Sequence, residues 1–240
     1  MQLEFNKLEW DSEFFGFPVG KLIQEIDSEN DLKNFYSETD LKLIYYITKK
    51  ELVEELRSNE FFDVILVDEK VSIQKTLNRD AKIHPKVEIY DEEEVDPDLM
   101  RLAFTAGLHS RFFKDKNISH GKAKELYQIW IEKSVKRILA DIVLVYRLDK
   151  RIIGFLTILT ESKNPHVSLL AVDPEFEGRG VSFALMSSME GILISKGYEI
   201  VKSETQDQNK KAKLIYRRQG VEFKEKHYVY HLWRNNPTIL

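Results

Sequence analysis

A glycine turn between a strand and a helix is the feature that most constrains the fold. Residues 167–172 form an apolar run typical of a buried strand, which Asp173-Pro174 ends. The turn Glu177-Gly178-Arg179-Gly180 follows, and we expect a helix over 181–195 capped by Gly197. The first N–H groups of such a helix have no intrahelical partner, and its dipole favours negative charge there. The pattern therefore predicts an anion site at this turn.

The flanking sequence narrows the choice of phosphate ligand. No Lys-Ser or Lys-Thr follows Gly180, so the turn is not a Walker loop. The dinucleotide fingerprint needs three glycines in a parallel βαβ unit, whereas this turn has two. A predicted antiparallel hairpin, 142–147 and 152–160 joined by Leu148-Asp149-Lys150, also precedes it. These three observations weaken both nucleotide-binding interpretations, the Walker loop and the dinucleotide fingerprint.

The order of elements predicts two domains of mixed α/β (α+β) class. Residues 1–78 suggest a small α/β subdomain, in which Asp68-Glu69-Lys70 is expected to turn between strands 64–67 and 71–77. Residues 79–86 are expected to be a linker, and 87–240 a second domain with a mixed, mostly antiparallel sheet.

Composition limits the classes of function. The chain has no cysteine, which excludes disulfides, thiolate metal sites and a cysteine nucleophile. The formal net charge of −4 with interspersed signs gives no basis for a nucleic-acid partner. The sequence shows no secretory signal, no run long enough to span a membrane and no histidine spacing typical of a metal site. We therefore expect a cytoplasmic protein without a membrane, nucleic-acid or metal partner.

The segment 142–233 resembles the GNAT acetyltransferase superfamily. The similarity lies in the hairpin, the strand ending Leu170-Ala171-Val172, the glycine turn with its helix, and the later helix bearing Asn209 and Tyr216. The superfamily pattern Gln/Arg-x-x-Gly-x-Gly/Ala reads here Glu177-Gly178-Arg179-Gly180-Val181-Ser182. It departs from that pattern at Glu177 and Ser182. We expect the Glu177 side chain to point away from a bound pyrophosphate, because such a loop binds through backbone N–H groups.

The resemblance implies a GNAT fold, with a truncated GNAT-like subdomain first, and acetyl-CoA as co-substrate. It also implies that Tyr216 is the general acid that protonates the departing CoA thiolate. The residues implied to bind the donor are Leu170, Ala171, Val172, Gly178, Arg179, Gly180, Val181, Ser182, Phe183, Asn209 and Ala212.

The front of the chain resembles a narrower family. The run from Leu8 to Gly16, with Ser110-Arg111-Phe112-Phe113 and the segment 126–131, is similar to the dTDP-fucosamine acetyltransferases. That resemblance implies N-acetylation of a nucleotide-linked 4-amino-4,6-dideoxy-hexose, with the first subdomain contributing to the acceptor pocket, and a homodimer. Arg111 is a candidate for a substrate phosphate or for a surface salt bridge, and Asp11 is a further substrate candidate.

Two questions stay open from sequence. Asp68 is the candidate general base, with Asp11, Glu204 and His109 as alternatives. The alternative functions are acetylation of a peptide N-terminus or another small amine, and a non-catalytic module that binds acyl-CoA.

Overall fold

The computed structural model describes residues 3–160 and 163–235, whose contacts divide the chain into two compact units. The first unit takes in the described part of Met1–Lys70 and Lys226–Leu240, together with Lys114–Asn117. The second takes in Val71–Phe113 and Ile118–Glu225. The division therefore falls inside a strand at residue 70, away from the segment 79–86, and the C-terminal residues return to the first unit.

The first unit is a sheet with three helices. Its elements are β1 (Phe5–Lys7), α1 (Glu9–Phe15), β2 (Val19–Leu22), α2 (Glu29–Glu38), β3 (Leu43–Thr48), α3 (Glu54–Arg57), the first part of β4 (Phe62–Thr76) and the last part of β10 (Glu222–Arg234). The strand order is β1-β2-β3-β10-β4, in which β2 and β3 are parallel while β1–β2 and β3–β10 are antiparallel. Helix α2 begins at Ser28, which forms a capping box with Asp31.

The second unit carries the predicted hairpin and glycine turn. Its further elements are β5 (Val87–Ile89), α4 (Pro97–Gly107), α5 (Arg111–Lys114), α6 (His120–Val135), β6 (Ile142–Leu148), β7 (Arg151–Leu159), β8 (His166–Val172), α7 (Val181–Ser195), β9 (Ile200–Gln206) and α8 (Lys210–Arg218). The strand order is β4-β9-β8-β7-β6-β5. Pairs β5–β6, β6–β7 and β7–β8 are antiparallel and β8–β9 is parallel, which confirms the predicted mixed sheet.

Apolar side chains cover both faces of this sheet. Helix α7 packs on one face with Leu144, Leu156 and Ile158, while α4 and α6 pack on the other with Val143 and Phe155. Strands β6 and β7 thus alternate between two cores, as strands buried on both faces do. The close approach of α7 depends on Gly154 of β7, where a side chain would collide with Val181 and Leu185 of α7.

One predicted turn is wrong. Asp68-Glu69-Lys70 lies inside β4, which runs without interruption from Phe62 to Thr76. Asp68 is buried and accepts a hydrogen bond from Lys114, and Glu69 forms an ion pair with Lys226. The charges that suggested a turn are therefore neutralised by partners distant in sequence. The hairpin and the bounds of α7 are confirmed as predicted.

Candidate active site

The glycine turn forms the N-terminal entry to α7. Gly178 and Gly180 have φ angles of 73° and 83°, a left-handed conformation that strongly favours glycine. Gly180 is the N-cap of α7 and offers no side chain to the first-turn N–H groups. A Cβ at either glycine would have nothing within 4 Å, so open space surrounds the turn. The turn therefore presents backbone donors at the positive end of a helix dipole, where an anion is stabilised.

A buried carboxylate fixes the start of the turn. Asp173 Oδ1 accepts from the Glu175 N–H at 3.1 Å, and its Oδ2 accepts from Arg101 at 2.8 Å and Arg151 at 3.3 Å. Burial acts to raise the pKa of Asp173, but the Glu175 N–H and the two guanidinium groups outweigh it and lower that pKa below its ordinary value. Asp173 therefore stays ionised and holds the loop against α4 and β7.

The unusual Glu177 is neutralised by a lysine. Its carboxylate forms an ion pair with Lys211 on α8, and both side chains are largely exposed. Beside it, the Arg179 guanidinium lies 5.2 Å from the Phe176 ring centre. The pair links the turn to the start of α8. The carboxylate that departs from the superfamily pattern is therefore neutralised by Lys211.

Strands β8 and β9 separate in front of the turn. Their paired residues are His166 with Lys202 and Val167 with Ser203, after which β8 continues to Val172. The Ser203 hydroxyl donates to the Val167 carbonyl at 2.8 Å, which closes the fork at its vertex. On the other edge of β8, the two residues Ser168 and Leu169 face the single Thr157 of β7. This bulge increases the local twist of β8.

A mostly apolar pocket lies at the fork. It is lined by Ile73, Gln74, Lys75, Leu156, Val167, Leu170, Met186, Met189, Val201, Lys202, Ser203, Tyr216 and Val221. Strand β8, helix α7 and helix α8 thus supply walls of one pocket, as expected for a site that binds an apolar chain with a few polar contacts.

Helix α8 carries Asn209 at its start and Tyr216 two turns later, and Tyr216, but not Asn209, lines the pocket. Asn209 is the N-cap of α8, and its Oδ1 accepts from the Ala212 N–H at 3.0 Å. That bond uses the amide oxygen of Asn209 as its acceptor. Tyr216 is partly buried and lines the pocket, and burial raises the pKa of its phenol. A phenol keeps its proton at neutral pH, as a general acid must, and the raised pKa makes this phenol a weaker acid than one in water.

The other predicted residues have partners of their own. Asp68 lies in the first unit with its Oδ1 2.9 Å from Lys114 Nζ, and its buried Oδ2 has no hydrogen-bond partner among the described residues. Asp11, also in the first unit, accepts from the Tyr45 hydroxyl at 3.0 Å. The Arg111 guanidinium lies 4.5 Å from the Phe112 ring centre. The alternative bases, Glu204 and His109, are exposed.

The sequence does not reveal two residues that line the pocket, Ser203 and Lys75, or the role of Asp173 as the anchor of the glycine turn. From sequence, Asp173 is expected only to end a strand, although an Asp before Pro also suits the N-cap that it forms. For Ser203 and Lys75 the sequence carries no local signal, because their partners are distant along the chain.

The family comparison agrees with this geometry. Residues 105–221 match the model of the acetyltransferase (GNAT) family. These residues form a GNAT acetyltransferase domain. The matched range includes β6 to α8, and with them the glycine turn, the fork and Tyr216. The GNAT domain thus accounts for most of the second unit.

One curated relative is the spore coat polysaccharide biosynthesis protein SpsD of Bacillus subtilis. It is 29% identical over 136 residues, which cover 57% of this chain and 46% of SpsD. The chain therefore spans about half the length of this relative.

Two solved structures show the same fold at low identity. A functionally unknown protein from Staphylococcus epidermidis superposes with a TM-score of 0.60 and 13% identity, covering 96% of this chain and 92% of its own. A GNAT-family protein from Novosphingobium aromaticivorans superposes with a TM-score of 0.55 and 14% identity. The superposition covers 91% of this chain and 84% of that protein.

The described residues contain neither a membrane-spanning helix nor a cluster of metal ligands. Over 3–160 and 163–235, no helix has the length and apolarity needed to cross a bilayer. Within the same ranges, no three histidine or carboxylate side chains are grouped as metal ligands.

Proposed function

We propose that this chain transfers an acetyl group from acetyl-CoA to the amine of a nucleotide-linked amino-dideoxy sugar, of the TDP-4-amino-4,6-dideoxy-hexose type. The observation that carries the donor half is the strand fork between the glycine turn and Tyr216. The acceptor half is supported by the resemblance at the front of the chain and by the similarity to SpsD, a spore coat polysaccharide biosynthesis protein.

The donor fits the residues that are present. The pyrophosphate would bind the N–H groups of 178–183, and the pantetheine arm would follow the backbone of Leu170 and Val172 into the fork. Ala171, Asn209 and Ala212 complete the proposed donor site. The opened β8–β9 ladder supplies the backbone groups that an amide-containing arm can pair with.

The proposed reaction is direct attack. The amine nitrogen attacks the thioester carbon, the C–N bond forms, and the C–S bond breaks to release the CoA thiolate. A backbone N–H near Val172 would stabilise the developing oxyanion. Tyr216 donates its proton to the sulfur and regains one from solvent, while the amine proton passes to a base. Asp68 is the base to test first, through Asp68→Asn.

Further parts of the proposal concern the acceptor and the protein's setting. Arg111 and Asp11 are proposed to contact the nucleotide sugar. Because both substrates are cytoplasmic metabolites, we propose that the protein acts in the cytoplasm. A homodimer is the proposed oligomer, and light scattering of the purified chain tests it.

A thiol-release assay tests the function. The purified chain would be given acetyl-CoA and a panel of TDP- and UDP-amino sugars, with a peptide bearing a free N-terminus for comparison. We expect turnover with a TDP-amino sugar and acetylated sugar by mass spectrometry. Turnover only with the peptide would contradict the acceptor, and tight acetyl-CoA binding without turnover of any amine would favour a binding module.

The role of Tyr216 has its own test. Tyr216→Phe is expected to lower kcat by about 10²- to 10⁴-fold, the usual contribution of general acid catalysis, while the Kd for acetyl-CoA stays unchanged. Tyr198→Phe is a matched control, because that hydroxyl donates to the Thr160 carbonyl and Tyr198 does not line the pocket. Equal kcat in Tyr216→Phe and the native protein would remove Tyr216 from the mechanism.

A further inference from the structure

A buried ion pair lies beside the pocket. Lys75 on β4 lines the pocket, and its Nζ lies 3.4 Å from Glu190 Oε1 on α7. Their side chains are 12% and 7% exposed. Glu190 Oε2 also accepts from the Asn78 N–H at 2.8 Å, so the carboxylate is fixed on both oxygens. Burying two charges costs desolvation free energy, which is offset only when both charges have well-placed hydrogen-bond partners.

The third partner of this pair is the end of α8. Lys75 Nζ donates to the Gln219 carbonyl at 2.6 Å, and Gln219 is the C-cap of α8. The C-terminal carbonyls of a helix lack intrahelical donors and carry the negative end of its dipole. The Lys75 ammonium therefore satisfies a carbonyl that the helix cannot satisfy itself, and adds a favourable charge there.

This contact lies close to Tyr216. The Tyr216 carbonyl accepts from the N–H groups of Gln219 and Val221, both at 3.0 Å. The C-cap that Lys75 holds is thus hydrogen-bonded directly to the backbone of Tyr216. Lys75 and the Tyr216 side chain also line the same pocket.

The other contacts of α8 are partly buried or exposed. None of its residues Lys210–Arg218 is fully buried, although Tyr216 packs against the core of the second unit. The Arg217 guanidinium in its last turn lies 5.5 Å from the Phe223 ring centre.

The polar contacts near the start of α8 are the Asn209 cap, the exposed pair of Lys211 with Glu177 and the partly buried pair of Lys213 with Asp207. Exposed pairs contribute little to stability, whereas the Lys75 ammonium gives the C-terminal turn a buried polar contact.

We infer that Lys75, held by Glu190, is a positioning residue that fixes the C-terminal turn of α8 and so holds the Tyr216 phenol at the fork. This inference rests on the proposed role of Tyr216 as general acid. A shift of about 1 Å in a catalytic group can cost about 100-fold in rate, so a loosened α8 turn lowers kcat without altering the pyrophosphate turn.

The test combines Lys75→Met with Tyr216→Phe. Lys75→Met is expected to lower kcat for thiol release by roughly 10- to 100-fold with an unchanged Kd for acetyl-CoA. In the Tyr216→Phe background the same change is expected to cost nothing further, because the group that Lys75 positions is already absent. Lys224→Met is the matched control, since Lys224 forms an exposed pair with Glu222 elsewhere in the second unit. It is expected to retain native kcat.

Hydrogen exchange of the unliganded protein gives a readout that does not need turnover. Lys75→Met is expected to raise the exchange of the amides of 216–221 at least tenfold while the amides of 181–186 stay protected. Lys75→Gln keeps a donor for the Gln219 carbonyl, so its exchange at 216–221 is expected to lie between that of the native protein and that of Lys75→Met. If Lys75→Met does not fold, Lys75→Gln and Glu190→Gln carry the comparison.

The outcomes separate the two proposals. An equal loss of kcat from Lys75→Met in both backgrounds, or unchanged exchange at 216–221, would overturn the positioning role. Full activity of Tyr216→Phe together with faster exchange in Lys75→Met would overturn the catalytic role of Tyr216 instead, and would leave Lys75 as the anchor of α8.

Discussion

Gly154 sets the depth at which α7 meets the sheet, and Gly154→Ala should displace the donor turn. A Cβ at Gly154 would lie 2.7 Å from Val181 Cγ1, 3.2 Å from Leu185 Cδ1 and 3.3 Å from the Ala171 carbonyl oxygen. Ordinary carbon contacts are about 3.5–4.0 Å, so the added methyl group intrudes by roughly 1 Å. Val181 is the first residue of α7 and directly follows the left-handed Gly180.

The neighbours have little freedom to yield. Val181 and Leu185 are 3% and 0% exposed, and a β-branched residue in a helix strongly prefers one rotamer. Overpacking of this kind costs about 1–3 kcal/mol of stability. The alternative response is an outward shift of the first turn of α7, which carries the N–H groups proposed for the pyrophosphate.

Urea unfolding and calorimetric titration with acetyl-CoA measure the two consequences. We expect Gly154→Ala to lower the unfolding free energy by about 1–3 kcal/mol and to weaken acetyl-CoA binding about tenfold, which corresponds to about 1.4 kcal/mol. Val181→Ala in the same chain removes the opposing methyl groups and should restore much of the affinity. Gly121→Ala is the control, because only Ser119 Oγ, at 4.0 Å, lies near its added Cβ in α6. Native stability and affinity in Gly154→Ala would show that α7 accommodates the added methyl group without moving.

Three further changes test the donor side. The ionised Asp173 stabilises the fold above its unfolded pKa of about 4, and this stabilisation is lost as pH falls through the lowered folded pKa. Asp173→Asn should remove it, so the unfolding free energy from urea titrations at pH 2 to 7 should fall less steeply with acid than in the native chain. Glu177→Gln removes a carboxylate from the anion site and should tighten acetyl-CoA binding severalfold at low salt, with the gain fading as salt rises, whereas a salt-independent change would argue against an electrostatic cause. Ser203→Ala loses the hydrogen bond that closes the fork and should cost about 1 kcal/mol of stability with faster amide exchange at 166–168, and unchanged exchange there would contradict its role as the vertex.

The donor half of the fold was predictable because single residues mark where its elements start and stop. Helix α7 lies between Gly178 and Gly180 at its start and Gly197 at its end. Each of these glycines adopts a positive φ, which glycine does at least cost, and the helix begins and ends as expected. The hairpin of β6 and β7 was also predicted, with Asp149 at φ 56° in its turn. In these places the nearest residues decide the conformation.

The features that the sequence did not reveal depend on contacts between residues far apart along the chain. Asp68-Glu69-Lys70 resembles a turn until Lys114 and Lys226 supply the counter-charges that let it lie within a strand. In the first unit, Asp115 lies buried between His231 Nδ1 at 2.5 Å and Trp233 Nε1 at 2.9 Å. Neither contact has a local pattern. The fork likewise depends on where a ladder between two strands stops, which no short segment specifies.

The return of β10 to the first unit bears on the order of folding during synthesis. Strand β10 lies between β3 and β4 there, with Tyr228 to Trp233 paired along β3. A nascent chain that has emerged only as far as α8 therefore holds β1 to β4 without the strand between β3 and β4. Their unpaired edges are open to pairing with other chains until β10 has emerged. The first unit thus begins to emerge before the second unit and is completed after it, when residues 226–234 insert between β3 and β4.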